Sequence, residues 1–210
     1  MAAALTSTSY AILGLLAVKP WTTYELAQQM DRALGRFWPR AESKLYEEPK
    51  KLVANGLARA SSELVGKRRR TVYTITAQGR RALAAWVRSP GAGPALEFEQ
   101  LIKVFFAEHG SKADLLATLA RVREESGERL GASAGVPQSY LDGEGPFPER
   151  LPWLLLVGQF LVDFYVMVER WAEWAEGVVD TWPDDVTAAQ PDWKTLERQV
   201  VVAQKHVHEA

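Results

Sequence analysis

Residues 39–76 constrain this chain more than any other stretch. A proline-led helical run ends in Asn-Gly and passes directly into two strand-like segments joined by consecutive cations. Pro39 suits a first helical position, because its φ is already fixed near the helical value and its missing N–H is not needed there. Ala41, Leu45, Leu52 and Val53 recur at helical spacing, with Arg40, Lys44, Lys50 and Lys51 interleaved. Asn55-Gly56 supplies the stop, since glycine accepts the positive φ common just past a helix end. Residues 57–63 and 70–76 read as strands separated by the turn residues Val65-Gly66-Lys67. A helix with a cationic face followed by a hairpin with a cationic tip predicts a winged helix-turn-helix. The helix is expected to enter a major groove, and the hairpin to lie on the adjacent backbone or minor groove.

Charge supports that division of labour. Residues 1–90 carry 15 Lys and Arg against 6 Asp and Glu, a net of +9, whereas residues 91–210 carry 10 against 20, a net of −10. A cationic half joined to an anionic half suits a DNA-reading module attached to a partner or sensor module. The chain has no cysteine, which excludes disulfides and thiolate metal sites and fits a reducing cytosol. The apolar N-terminal run lacks a basic n-region and reads as a folded helix rather than a signal peptide. The apolar run 153–168 is interrupted by Gly158, Gln159 and Asp163 and is expected to be too short and too polar to span a membrane. Three histidines, His109, His206 and His208, form no ligand or catalytic pattern, so neither enzyme, metal nor cofactor is expected.

In chain order, residues 7–18 predict a helix apolar on more than one side, stopped by Lys19-Pro20. Thr22 and Glu25 form a capping box, with Trp21 and Leu26 as a hydrophobic staple, for a helix running to Leu34. The free N–H groups at Thr23 and Tyr24 suit a phosphate, with capping alone the alternative for the threonines. Thr76 caps a further helix to Val87, and residues 89–94, with two prolines and two glycines, read as a linker. A helix over 95–108 is expected to bury Leu101, Ile102, Phe105 and Phe106. Ser111 and Asp114 start another helix with Leu115, Leu116, Leu119 and Val122, and residues 131–150 read as a mobile loop. The long helix, residues 152–179, carries Trp153, Val157, Phe160, Phe164, Met167, Trp171, Trp174 and Val178 at alternating spacings of four and three, an a/d seam. So apolar a helix needs partners on two sides, one of them a second copy of the chain. A last helix, residues 192–208, aligns Trp193, Leu196, Val200 and Val207.

A family resemblance overlies this reading. TSTSYAILGLLA, then TTYELAQQM, a Trp leading into an S-x-x-Y helix, K-x-L…G-L, and a basic wing closing in Y-x-I-T-x-x-G together resemble the PadR-like transcriptional regulators. The carriers are Tyr10, Leu13, Gly14, Leu15, Tyr24, Glu25, Leu26, Trp38, Ser43, Tyr46, Lys50, Leu52, Gly56, Leu57, Lys67, Arg68, Tyr73, Thr76 and Gly79. The match covers about the first 88 residues. Pro49 departs from the family's apolar residue there, and an interior proline is expected to kink or split the helix. The resemblance implies dimerisation through the C-terminal helices and, in some members, flat aromatic ligands near the dimer centre. Trp153, Trp171 and Trp174 can line such a site, or simply pack a core.

The fold expected is mostly α: a winged helix-turn-helix over 1–90 and an α-helical dimerisation and ligand-sensing domain over 94–210. The DNA-binding set is Thr22, Thr23, Tyr24, Arg40, Ser43, Lys44, Tyr46, Lys67 and Arg68. The dimerisation set is Phe160, Phe164, Met167 and Trp171. The function expected is that of a cytoplasmic homodimeric repressor on an inverted-repeat operator, relieved by a small aromatic effector. An effector-free regulator and a winged-helix protein-interaction module are the alternatives.

Overall fold

The computed structural model of the protein describes residues 4–39, 41–65 and 68–208, and of 42–44, 65, 68 and 206–208 the backbone alone. The chain divides into two compact units, Met1–Pro94 and Ala95–Ala210.

The first unit runs α1 (Ser7–Val18), β1 (Trp21–Thr22), α2 (Thr23–Leu34), α3 (Glu42–Ala54), β2 (Ala58–Val65), β3 (Arg68–Ile75) and α4 (Ala77–Arg88). The sheet is antiparallel in the order β1-β3-β2. α1 is its centre: Ile12, Leu13 and Leu16 are buried, and the helix packs against α2, α3, α4 and β3, as a helix apolar on several sides must. Leu26, Met30, Leu45 and Leu52 complete the core from α2 and α3. Gly56, at φ 70°, turns the chain out of α3 in the left-handed conformation expected of a helix stop. At Gly79 a Cβ would collide with the Leu57 carbonyl oxygen, so glycine is what lets α4 approach the start of β2. Thr76 caps α4 through the Gly79 N–H at 3.0 Å, and Trp86 stacks on Tyr10 at 5.1 Å between ring centroids.

Several expectations are corrected. α3 begins at Glu42 with Ala41 as its N-cap, so Pro39 precedes the helix instead of opening it. Pro49 does not split α3, which is continuous across it. The ring is fully buried, and Leu45 and Leu52 on either side are locked in the core, so packing holds the helix where a ladder bond is missing. The strands extend further toward the hairpin tip than the pattern 57–63 and 70–76 implied. β1 is too short to carry a period-two signal.

The second unit holds α5 (Glu99–Phe105), α6 (Lys112–Ser133), α7 (Gly135–Leu141), α8 (Leu151–Asp180) and α9 (Trp193–His208). α6 and α8 pack antiparallel. Leu115 and Leu119 meet Ala175 and Val179, Val122 meets Val168 and Ala172, and Lys112 Nζ donates to the Asp180 and Trp182 carbonyls at 2.9 and 2.7 Å. α6 opens on the expected capping box, Ser111 with Asp114.

Here too the sequence pattern is corrected. α8 buries Leu161, Tyr165, Val168, Ala172, Ala175 and Val179, the seam one residue beyond the predicted one, because the two alanines let α6 approach closely. Leu101, Ile102, Phe105 and Phe106 are exposed in the protomer, while Phe98, Val104 and Ala107 pack on the α6–α8 core. Residues 131–150 are not loop throughout: α6 reaches Ser133 and α7 follows. Residues 148–180, which hold α8, are long and apolar enough by length and composition to cross a membrane, with a window of mean hydropathy 1.8, which corrects the expectation drawn from the run 153–168 alone.

Candidate nucleic-acid interface

Two surfaces of the first unit carry the candidate contacts, the α2–α3 pair and the β2–β3 hairpin. At the start of α2, Thr22 is buried and committed to its cap. Its backbone N–H and hydroxyl both donate to Glu25 Oε2 at 2.8 Å, and its hydroxyl oxygen accepts from the Glu25 N–H at 3.3 Å. These bonds hold the Glu25 carboxyl below the ordinary carboxylate range, with Lys19 and Arg70 adding attraction. The Thr22 side chain is therefore structural, and the backbone N–H groups of Thr23 and Tyr24 remain the candidate anion donors. Tyr24 is 57% exposed, its hydroxyl accepting from Gln28 Nε2 at 2.9 Å.

On α3, Tyr46 is half-buried, Glu47 and Lys50 are exposed, and Glu48 is buried. Glu48 points away from solvent altogether and pairs with Lys51 at 2.7 Å, which removes Lys51 from the free cations of the helix. Arg40 lies outside the described residues; Ser43 and Lys44 are described in backbone only, on the first turn of α3.

In the hairpin, Val65 faces Arg68, Glu63 faces Arg70 and Leu64 faces Arg69. Residues directly opposite share a face, so Arg68 and Arg70 lie on one side with Glu63, and Arg69 on the other with exposed Leu64. Lys67 lies outside the described residues, and Arg68 is described in backbone only. Arg69 and Arg70, both exposed, were not singled out from sequence; the register separates them, and a run of like charges hides it. β1, which leads straight into α2, pairs with β3 of the hairpin, Thr22 opposite Val72, so the base of the wing and the start of α2 are neighbours.

Among the described residues no group of three or more His, Asp or Glu side chains is placed to hold a metal ion. Of the predicted ligand-site tryptophans, Trp153 stands far from the other two within one chain. Trp153 and Trp171 are 18 residues apart on α8, about 27 Å at helical rise. Trp171 packs edge-on to Phe98 at 6.2 Å, whereas Trp153 and Trp174 are exposed.

Helices α1 to α3, a short β1 strand closing the sheet and a basic hairpin, followed by α4, define a winged helix-turn-helix DNA-binding protein. Residues 12–85 match the "Transcriptional regulator PadR-like family", and residues 99–180 match "Virulence activator alpha C-term". The chain is 30% identical over 151 residues to the Mycobacterium tuberculosis protein "Probable transcriptional regulator Rv1176c", covering 64% of this chain and 80% of that one. It is 31% identical over 99 residues to the "Negative transcriptional regulator PadR" of Bacillus subtilis, covering 46% of this chain and 54% of that one. The crystal structure of Bacillus subtilis PadR in complex with operator DNA superposes at a TM-score of 0.72 and 22% identity, over 83% of this chain and 99% of that one. The same protein in complex with p-coumaric acid superposes at 0.65, with the same identity and coverage. The chain belongs to the PadR-like family of transcriptional regulators.

Proposed function

We propose that this regulator is a cytoplasmic homodimer that binds an inverted-repeat operator and represses transcription by occupying the promoter. The observation that carries the dimer is the unused seam of α8. Trp153, Leu156, Phe160, Met167 and Trp174 remain exposed after α6 has covered the other side. A water-facing apolar row of that length marks an interaction surface; of the dimerisation set, Phe160 and Met167 stand on it, while Phe164 and Trp171 flank it, half-buried against the α6–α8 core. Residues 1–90 act as the reading module, and residues 94–210 as the dimerisation and sensing module. The base-reading residues are Arg40, Ser43, Lys44 and Tyr46. The phosphate contacts are the Thr23 and Tyr24 amides and the wing cations Lys67 and Arg68, joined by exposed Arg69 and Arg70.

Relief by a small aromatic ligand is part of the proposal, supported by the p-coumaric acid complex of Bacillus subtilis PadR. A pocket made of Trp153, Trp171 and Trp174 requires two chains, given the distance of Trp153 from the other two in one. Selection from random DNA, with sedimentation of the free protein and of its DNA complex, tests the reading. An enriched palindrome bound by a dimer is the expected result. No enrichment, with no binding at moderate salt, would leave a winged-helix interaction module instead.

A further inference from the structure

α3 carries an acid where a DNA-reading helix gains nothing from one. Glu48 is 3% exposed. Its Oε2 accepts from the Ser9 hydroxyl of α1 at 2.5 Å, and its Oε1 from Lys51 Nζ at 2.7 Å. Ser9 is itself fully buried and accepts from the Thr6 N–H at 3.0 Å, so both sides of its hydroxyl are used. One residue earlier, buried Thr8 accepts from Trp38 Nε1 at 3.2 Å. The first turn of α1 thus grips the recognition segment twice, just before α3 and at its middle.

The position of the second grip matters because Pro49 follows it. Proline has no N–H, so the Leu45 carbonyl loses its ladder donor, and α3 is least constrained by its own backbone at this level. Residues 42–47, the part that presents the candidate base readers, lie on the N-terminal side of that weak point. A buried, charge-assisted hydrogen bond beside it resists rotation of that half far more than apolar contact, which is non-directional.

We propose that Glu48 is a positioning residue for operator recognition: seated on Ser9, it sets the rotation of the N-terminal half of α3, and so which base edges that half meets. The inference rests on α3 being the groove-entering helix. Direct readout depends on placing donors at base edges, whereas phosphate contacts tolerate small rotations. Loss of the seat therefore affects selectivity before affinity.

The test uses the full-length wild type, Glu48→Ala, Glu48→Gln and Ser9→Ala. Each is bound to a selected operator and to a scrambled duplex at one salt concentration, alongside a thermal melt. Glu48→Ala and Ser9→Ala should lower operator affinity about tenfold and scrambled affinity less than about twofold, the range of one lost base contact. Glu48→Gln keeps an oxygen for the Ser9 hydroxyl and should retain most of the preference. Should Glu48→Ala fail to fold, Ser9→Ala carries the comparison. An unchanged operator-to-scrambled ratio in Ser9→Ala, or equal losses on both duplexes, overturns the inference and leaves Glu48 a stabilising group only. A wild type with no operator preference overturns the reading of α3 itself, which separates the two failures.

Discussion

Phe160 gives the sharpest test of the dimer. It exposes 60% of its surface in the protomer, although it stands on the apolar row of a 30-residue helix. An aromatic side chain presents roughly 200 Å², so about 120 Å² of Phe160 is open to burial in the proposed dimer. At about 25 cal/mol per Å² that is about 3 kcal/mol for each copy. A two-fold dimer contains the residue twice, so Phe160→Asp removes about 6 kcal/mol of gross apolar stabilisation, before the cost of burying a carboxylate. At 1.4 kcal/mol per decade, the dimer dissociation constant should rise by about four orders of magnitude. Phe164 is the poorer probe because it packs on Val122, Val168 and Ala172, so a charge there would damage the protomer core itself. The assay is sedimentation equilibrium from nanomolar to micromolar protein, with a thermal melt to show that the variant folds. A folded Phe160→Asp protein with wild-type dimer affinity would refute the assignment of this face.

Lys44→Ala should lose about 1–3 kcal/mol on the selected operator and much less on scrambled DNA, whereas Lys67→Ala should weaken both alike; filter binding at two salt concentrations separates them. Replacing Lys67 and Arg68 together by alanine should shallow the log-affinity against log-salt slope by about 2 for a dimer with half of those contacts on phosphate, and an unchanged slope would exclude the wing. Gly79→Ala should destabilise the first unit by about 1–3 kcal/mol by denaturant titration, because the added Cβ meets the Leu57 carbonyl. Glu25 is held below its ordinary value of 4.5, so its carboxylate stabilises α2 above that pH and the contribution fades as pH falls through the lower folded value. Glu25→Gln should therefore lie below the wild type in melting temperature at neutral pH, and the gap should narrow as pH falls below 4.5 and on through the lower folded value.

Local chemistry made the first unit legible. Caps at Thr22 and Thr76 and the Asn55-Gly56 stop are each signals within a few residues, and each stands where the pattern put it, whereas the strand pair is where the pattern put it only in outline, its ends shifted toward the hairpin tip. Long-range choices were not legible. The seam of α8 could be read in two registers one residue apart, and the small size of Ala172 and Ala175 decided it in favour of close packing on α6. α5 shows the same limit: its most apolar residues are exposed and its less conspicuous Val104 packs inward. In the candidate interface, Thr22 looked like a phosphate ligand because a cap and an anion site use the same residue types. Only the commitment of its hydroxyl and N–H to Glu25 separates the two. The burial of Glu48 has no local signal, because its partner Ser9 is 39 residues away, beyond any local pattern.

The distribution of charge between helix and hairpin assigns them different work. α3 holds Glu42, Glu47 and Glu48 against Lys44, Lys50 and Lys51, a net of zero, and Lys51 is spent on buried Glu48. Residues 58–75 hold Arg59, Lys67, Arg68, Arg69 and Arg70 against Glu63 alone, a net of +4. Attraction to a duplex scales with the cations that displace counterions, so under the proposed function the hairpin is expected to supply most of the salt-sensitive affinity. A neutral helix contributes little to non-specific binding and can be matched or mismatched to a sequence without a large change in that background. Selectivity then depends on how rigidly the helix is held. This is where the Thr8 and Ser9 platform acts: the polar start of an otherwise apolar α1 anchors a helix whose own ladder is interrupted at Pro49.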